Sequence, residues 1–542
     1  MIKVKKTIKF IVAVLAFFIV ITLLMYVFDY CPPQGPWPMP PWCDEETASR
    51  IPFFNRPAEH TTEEVIALFE SPLFLTRICQ REIPVLSEER LGTNYADALG
   101  WQGLAIESSM YRMGSRQLIG TAHNIDMPVI SSMNIRWLIR VAPIDYVETA
   151  VVDLYGNPIT LLDLPQFRDG SYWRNLLNPS YREMLIDDAK TNLDLGAAGI
   201  VFDDDGDGMS FGTIYSFGAS FDEYSMTGFR KFLKDKYSQD FLKNTFNIDN
   251  IDKFHFGEYI IANNLENTWN EDLGNPHSLT LLFQRYLSEA GRLAVKEIIA
   301  ELRDYSVSEH NRDPIISFNA SPLFVGKMYH GAYDLADILY GEHFWFHTQH
   351  FKGAVAGKLA EGLTDRQFIL LFEVNHDRGE LPNPIGNLFK YAFADVYSTG
   401  NTSLQITYPG SWTMYEWTYV EPLPYDVKVF EHYAGFLQKN RDLFGMDEPA
   451  NVAVVHSVDS RRLNYLPLVD KTLHNHGQPN RQFKAVVDML LNLDIPFHLL
   501  LSAQEMLGIS ESVNYTDLSE YELVVLPNVM VLSETEVEAL IQ

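Results

Sequence analysis

The stretch GIVFDDDGDG, residues 199–208, is the most informative part of the sequence. A short apolar, strand-like segment is followed at once by four aspartates. Carboxylates this close together raise one another's pKa and lower stability, unless a cation, hydrogen bonds or a catalytic use compensates. Two interpretations follow: a strand of a β/α barrel that ends in catalytic carboxylates, or a calcium-binding loop.

Strand-like segments alternate with longer amphipathic segments on both sides of this stretch, which predicts a (β/α)8 TIM barrel. A doubly wound open sheet is the alternative, but no glycine-rich phosphate-binding loop follows any early strand. The predicted strands are 103–107, 128–133, 199–203, 314–319, 338–341, 368–374 and 403–408, and the predicted helices include 179–195, 227–237 and 278–305.

The pattern changes after residue 445, where three further strands are predicted at 451–456, 496–500 and 522–526, with helices at 482–492 and 533–541. This order predicts a small flavodoxin-like α/β domain. Three strands are fewer than a full sheet of that type contains. Two alternatives stay open: a longer natural domain, or a sheet completed by another subunit of a homo-oligomer.

The N-terminus carries a hydrophobic segment. Four lysines lie within residues 1–9, and residues 10–28 are uncharged. As a helix this run spans roughly 28 Å, close to the thickness of a bilayer core. We expect an uncleaved signal-anchor transmembrane helix with the rest of the chain outside the cytoplasm. A cleaved signal peptide is the alternative, although the run is longer than a typical h-region and no small-x-small site follows it.

The predicted organisation has four parts. Residues 1–28 hold the cytoplasmic lysines and the anchor, and the proline-rich residues 29–55 form a spacer. Residues 56–445 form the barrel, and residues 446–542 form the flavodoxin-like domain. The formal net charge is −29 at pH 7. This charge argues against nucleic acid as a partner and is compatible with a neutral carbohydrate substrate.

Two groups of carboxylates end predicted strands, where the working residues of a β/α barrel lie. Asp203, Asp204 and Asp205 end one strand, and Glu373 ends the apolar run FILLFE, residues 368–373. Glycoside hydrolysis requires such a pair: one carboxyl group protonates the leaving oxygen, and the other attacks the anomeric carbon or activates water. For Glu373 the alternative is a salt-bridged strand end.

The sequence leaves open which aspartate points into the barrel. Strand alternation pairs Asp203 with Asp205 on one face and puts Asp204 on the other. All three remain candidates for the acid/base. Residues near other strand ends are candidates for sugar binding, with ordinary packing as the alternative for the aromatic ones. They are Trp137, Asn319, His343, Trp345, Tyr408 and Trp412.

The calcium interpretation depends on Asp203, Asp205 and Asp207, whose spacing matches the opening of an EF-hand loop. The twelfth position should be a bidentate Glu but is Ile214, and the motif follows a strand-like segment instead of a helix. A calcium site of another kind stays open as a weaker alternative. No other cofactor is expected.

Residues 199–237 resemble clan A glycoside hydrolases of the family-42 β-galactosidase type. In that family a strand that ends in the acid/base carboxylate is followed by a loop and by a helix similar to FRKFLKDKY, residues 229–237. The motif LFE, residues 371–373, is similar to the family's nucleophile motif near the seventh strand, and YELVVLP, residues 521–527, resembles its amidotransferase-like second domain.

The resemblance implies a TIM barrel followed by an amidotransferase-like domain, with Asp203–Asp205 as acid/base and Glu373 as nucleophile. The chain departs from the family because the acid/base there is a Glu preceded by Asn, and because the cysteine metal cluster of some relatives is missing. Galactosidase specificity therefore does not transfer.

Together these observations predict a membrane-anchored glycoside hydrolase that retains the anomeric configuration of an extracellular oligo- or polysaccharide. A noncatalytic surface protein that binds glycans through a degenerate barrel is the alternative. Hydrolysis of some other substrate with the help of calcium is a third hypothesis.

Overall fold

The computed structural model describes the chain between residues 74 and 541 in segments. These are 74–78, 101–107, 129–134, 144–159, 172–203, 221–269, 278–319, 335–344, 354–358, 368–373, 386–397, 402–407, 410–412, 417–419, parts of 432–440, 449–460, 481–502 and 518–541, apart from a few single positions within them. The predicted anchor and spacer lie outside the described residues. Within the described segments, no helix is both long and apolar enough to cross a membrane.

Eight parallel strands close into a barrel in chain order, because the first strand pairs with the eighth. This confirms the predicted barrel and excludes the open sheet. The strands are β1 (Phe74–Ile78), β2 (Trp101–Glu107), β3 (Val129–Asn134), β4 (Gly199–Asp203), β5 (Ile315–Asn319), β6 (Ile338–Phe344), β7 (Phe368–Glu373) and β8 (Thr402–Thr407). A two-stranded hairpin follows, formed by β9 (Gly410–Trp412) and β10 (Trp417–Tyr419).

Eight helices are described along the chain. They are α1 (Pro179–Asp194), α2 (Glu223–Lys236), α3 (Gln239–Phe246), α4 (Phe256–Ala262), α5 (Ser278–His310), α6 (Gly386–Tyr397), α7 (Arg481–Asn492) and α8 (Glu534–Ile541). Helix α1 begins where Asn178 accepts a hydrogen bond from the Ser180 N–H and proline occupies the first turn. Both features favour a helix start.

Gly199, the first residue of β4, allows β4 and β5 to approach closely. A Cβ atom at this position would lie 2.2 Å from the carbonyl oxygen of Ile315, its register partner. Backbone atoms cannot move aside as the tip of a flexible side chain can. We therefore attribute the glycine to the close packing of the two strands.

Replacing Gly199 by Ala is expected to lower the free energy of unfolding by about 1–3 kcal/mol, because the methyl group overpacks the β4–β5 seam. Thermal unfolding followed by circular dichroism measures the change. Ser317→Ala is the matched control on the same strand pair, because its buried hydroxyl has no hydrogen-bond partner among the described residues. Removing it should leave stability unchanged or raise it. A Gly199→Ala protein as stable as wild type would contradict the close approach.

Helices α2, α3 and α4 and the first half of α5 form a helical subdomain in the connection from β4 to β5. Its core is aromatic, and the rings of Phe229 and Phe283 lie 4.9 Å apart edge to face. Other buried members are Phe221, Phe232, Phe246, Phe254, Phe256 and Trp269. A core of its own makes this subdomain a defined structural unit beside β4.

The subdomain stands at the carboxyl end of the barrel. Helix α5 runs alongside α1 in the same direction, as the ion pairs Arg182–Glu297 (2.5 Å), Lys190–Glu301 (2.8 Å) and Asp194–His310 (2.9 Å) show. A barrel helix starts at the carboxyl end of the strands and runs back to their amino ends. The part of α5 that precedes these contacts therefore extends above the barrel rim.

The second domain contains a parallel three-stranded sheet in the order β12-β11-β13, with β11 (Val452–His456), β12 (Phe497–Leu501) and β13 (Leu523–Val525). The order 2-1-3 is also the order of the first three strands in a flavodoxin-like sheet. The domain packs on the barrel, because Phe483 and Phe497 share one core with Phe393 and Tyr397 of α6.

Candidate active site

The two predicted catalytic positions lie at the same end of the barrel. Asp203 is the last residue of β4, and Glu373 is the last residue of β7. All eight strands are parallel, so both positions are at the carboxyl end, where β/α barrels carry their active sites. Counting around the barrel from β4, β7 is the third strand in one direction and the fifth in the other.

The face of β4 to which Asp203 belongs follows from its neighbours. Ile200 and Phe202 are fully buried and pack in one core with Leu185 of α1 and Val295 of α5. They therefore occupy the face of β4 that meets the helices. Strand alternation puts Val201 and Asp203 on the opposite face. We call this set of strand positions, which alternate with the helix-packed ones, the inner face of the barrel.

The same reasoning applies to β7. Leu339 of β6 is fully buried in the helix-packed core, and it pairs with Phe368 in the register of β6 and β7. Glu373 is five positions further along β7, so it belongs to the other face. Asp203 and Glu373 thus both have register positions on the inner face. Asp204, Asp205 and Asp207 lie outside the described residues.

Not all of the predicted sugar-binding residues have positions on the inner face. Asn319 ends β5 on the inner face, two positions beyond Ser317, which pairs with Val201. His343 shares the face of Leu339, so the register does not bring it to the inner face. Trp412 ends β9 and pairs with Trp417 in the hairpin after β8. Trp137, Trp345 and Tyr408 lie outside the described residues.

The register also brings polar positions to the inner face that the sequence analysis missed. Asn134 pairs with Asp203, and Thr407 pairs with Glu373. Glu107 pairs with Ser132, which alternates with the buried, helix-packed Met133. Glu342 precedes Phe344, the partner of Glu373, by two positions. The signal that could have found these residues is a polar residue closing each apolar run.

The inner face at the barrel mouth is therefore rich in carboxylates, at Glu107, Asp203, Glu342 and Glu373. A carboxyl group can act as a general acid when it is protonated and as a nucleophile when it is ionised. Such a mouth is chemically suited to a reaction that uses one protonated and one ionised carboxyl group.

Several solved structures similar to this chain are β-galactosidases. The β-galactosidase from the psychrophilic Marinomonas ef1 superposes with a TM-score of 0.62 at 13% identity, over 87% of this chain and 74% of that one. The fold is that of the GH42 β-galactosidases. A catalytic mutant of the GH42 β-galactosidase from G. stearothermophilus gives a TM-score of 0.61 at 14% identity, over 87% of this chain and 69% of that one.

A third such protein is the polyextremophilic β-galactosidase of the Antarctic haloarchaeon Halorubrum lacusprofundi, with a TM-score of 0.58 at 12% identity, over 86% of this chain and 71% of that one. No protein-family model and no curated protein sequence matches the chain. The resemblance to the family-42 β-galactosidase type is thus confirmed as a clan A glycoside hydrolase fold. At this identity the likeness shows the fold alone.

The calcium interpretation stays a prediction for this GH42-like barrel. Within the segments that the structure describes, no group of three or more His, Cys, Asp or Glu side chains could hold a metal ion. Two of the three predicted ligands, Asp205 and Asp207, lie outside those segments.

Proposed function

We propose that the chain is a glycoside hydrolase that acts on an oligo- or polysaccharide outside the cytoplasm by a two-carboxylate, retaining mechanism. One observation carries the proposal: Asp203 and Glu373 end β4 and β7 of a closed barrel, both on its inner face. This placement supports a shared site at the carboxyl end, where one substrate could meet both residues.

The roles follow from the chemistry of acetal cleavage. Asp203, protonated, donates its proton to the glycosidic oxygen as the bond from that oxygen to the anomeric carbon breaks. The Glu373 carboxylate attacks the anomeric carbon and forms a covalent glycosyl ester. The Asp203 carboxylate then accepts a proton from water, which attacks the same carbon and releases Glu373. Two inversions give net retention.

Other positions at the mouth fit the binding of a sugar. Asn319 and Asn134 have register positions on the inner face, and an amide can both donate to and accept from a hydroxyl group. Trp412 and Trp417 form a pair on the hairpin after β8, and their rings are suited to stacking on a pyranose. We assign these residues to substrate binding.

A panel of p-nitrophenyl glycosides tests the proposed activity. The wild-type chain is expected to release p-nitrophenol from at least one of them, with EDTA leaving the rate unchanged. If no member of the panel is cleaved, the noncatalytic glycan-binding alternative gains support. If EDTA abolishes turnover and calcium restores it, the calcium interpretation of Asp203, Asp205 and Asp207 gains support.

We also propose that residues 10–28 anchor the protein in a membrane, because this uncharged run is long enough to cross a bilayer and follows four lysines. Deleting residues 1–28 is expected to move the protein from the membrane pellet to the supernatant after ultracentrifugation. Extraction of the full chain by alkaline carbonate, without detergent, would contradict an inserted helix.

A further inference from the structure

A cavity of about 670 Å³ lies outside the barrel, between α1, α2 and α5. Its volume is in the range of small-molecule sites. The apolar part of its wall includes Leu177, Ala290 and Ala294. Since α1 begins at the carboxyl end of the barrel, the cavity is close to the rim on the side of β4. It is separate from the inner-face positions already described.

The polar group that distinguishes this cavity is the hydroxyl of Tyr286, one of the lining residues. Tyr286 is only 7% exposed. A Cβ atom on Gly228 would lie 2.0 Å from that oxygen, so a glycine inside α2 makes room for it. A phenylalanine at position 286 would fill the aromatic core without placing an oxygen atom against residue 228.

The Tyr286 hydroxyl is available as a donor. Burial, together with the charge of the nearby Asp222 carboxylate, raises the pKa of Tyr286. The phenol therefore stays protonated across the physiological pH range. A ligand hydroxyl in the cavity could accept a hydrogen bond from this phenol.

The rim of the cavity carries charges that neutralise one another. Arg182 Nη1 lies 2.5 Å from Glu297 Oε2, and Arg230 Nη2 lies 2.5 Å from Glu223 Oε1. The hydroxyl of Thr227 donates to the same Glu223 oxygen at 2.8 Å. A rim of paired charges offers both donors and acceptors without a strong preference for an ion.

Two large side chains at the rim are exposed. Tyr224 is 48% exposed and Leu293 is 56% exposed, and both line the cavity. An exposed aromatic ring beside paired donors and acceptors suits a pyranose, whose hydroxyl groups each donate and accept and whose C–H face is apolar. The net charge of −29 disfavours an anionic ligand.

We propose that this cavity is a second, noncatalytic binding site for a neutral glycan, in which Tyr286 binds a sugar hydroxyl and Tyr224 stacks on the ring. This proposal depends on the proposed function in one respect, the choice of a glycan as the ligand. A site near the rim on the β4 side would hold a polysaccharide close to the barrel mouth and raise its local concentration there.

Binding is measured in the Glu373→Gln background, so that no probe is consumed. The probes are cellotetraose, galactotetraose and xylotetraose, and hydrogen–deuterium exchange of peptides covering residues 223–230 and 286–297 is the local readout. At least one probe is expected to protect both peptides. Tyr286→Phe, which removes one oxygen atom only, and Tyr224→Ala should each weaken that binding about tenfold or more, equivalent to about 1.4 kcal/mol.

Tyr155→Ala is the matched control, because Tyr155 is 68% exposed and does not line the cavity. It should bind the probe as the parent does. The proposal is overturned if no probe protects these peptides, or if both cavity variants bind as tightly as the control. Turnover of aryl glycosides by the wild type is scored separately, so a chain that binds glycan in the cavity but hydrolyses nothing would contradict the proposed activity alone.

Discussion

Glu373→Gln is expected to lower kcat for aryl glycosides by more than about 10³-fold, because the amide cannot form the glycosyl ester. The substitution changes the side chain by one atom, and the affinity for substrate should change much less than the rate. Initial rates of p-nitrophenol release over a range of substrate concentrations separate kcat from KM.

Rescue by azide makes this test specific for a nucleophile. In Glu373→Ala, azide can occupy the space of the missing carboxylate and attack the anomeric carbon directly. The expected product is a glycosyl azide of inverted configuration, identified by nuclear magnetic resonance. Glu342→Gln is the matched control, because position 342 is also on the inner face, on the adjacent strand. Glu342→Gln should lower kcat less than Glu373→Gln does, and azide should not raise the activity of Glu342→Ala.

Asp203→Asn is the second change with a large expected effect. Loss of the general acid should lower kcat by about 10²–10⁴-fold for substrates with a poor leaving group. The loss should be smaller for p-nitrophenyl glycosides, because p-nitrophenolate leaves without protonation. Comparing alkyl with p-nitrophenyl glycosides of the same sugar measures this dependence on the leaving group.

The neighbouring aspartates serve as controls for this prediction. Asp204→Asn and Asp205→Asn carry the same substitution one and two positions further along the chain. Neither is expected to show the dependence on the leaving group. If Asp205→Asn shows it and Asp203→Asn does not, the acid/base has been assigned to the wrong residue, although the two-carboxylate mechanism would stand.

The apolar strands were predictable from the sequence. The prediction for β4, residues 199–203, coincides with the observed strand, because GIVFD contains an unbroken apolar run with a sharp end. The strand β1 was missed, since its sequence FLTRI is short and contains Arg77. Arg77 pairs with Ala105 of β2. A search for apolar runs does not find a strand that contains such a charged residue.

Polar residues also explain the errors at the ends of elements. The strand β6 was predicted to stop at Gly341 but continues to Phe344 through Glu342 and His343. The helix α2 was predicted to begin at Thr227 but begins at Glu223. There the Asp222 side chain accepts a hydrogen bond from the Ser225 N–H, a helix cap that periodicity alone does not reveal.

The candidate site was only partly predictable for a similar reason. Alternation alone divides residues 203–205 between two faces without saying which face is inside. The inner face can be identified only from contacts outside the strand. Here Ile200 and Phe202 pack against α1 and α5, so the other face of β4 is the inner one. His343 was selected because it is polar and near a strand end, whereas the register puts it on the face of Leu339.

The separation of the Asp203 and Glu373 carboxyl groups in a crystal structure tests the proposed mechanism most directly. Retention predicts that they lie about 5–5.5 Å apart across the barrel mouth. A separation of about 6.5–9.5 Å would leave room for a water molecule and indicate inversion instead. Carboxyl groups farther apart than this range, or directed away from a common space, would contradict hydrolysis by this pair.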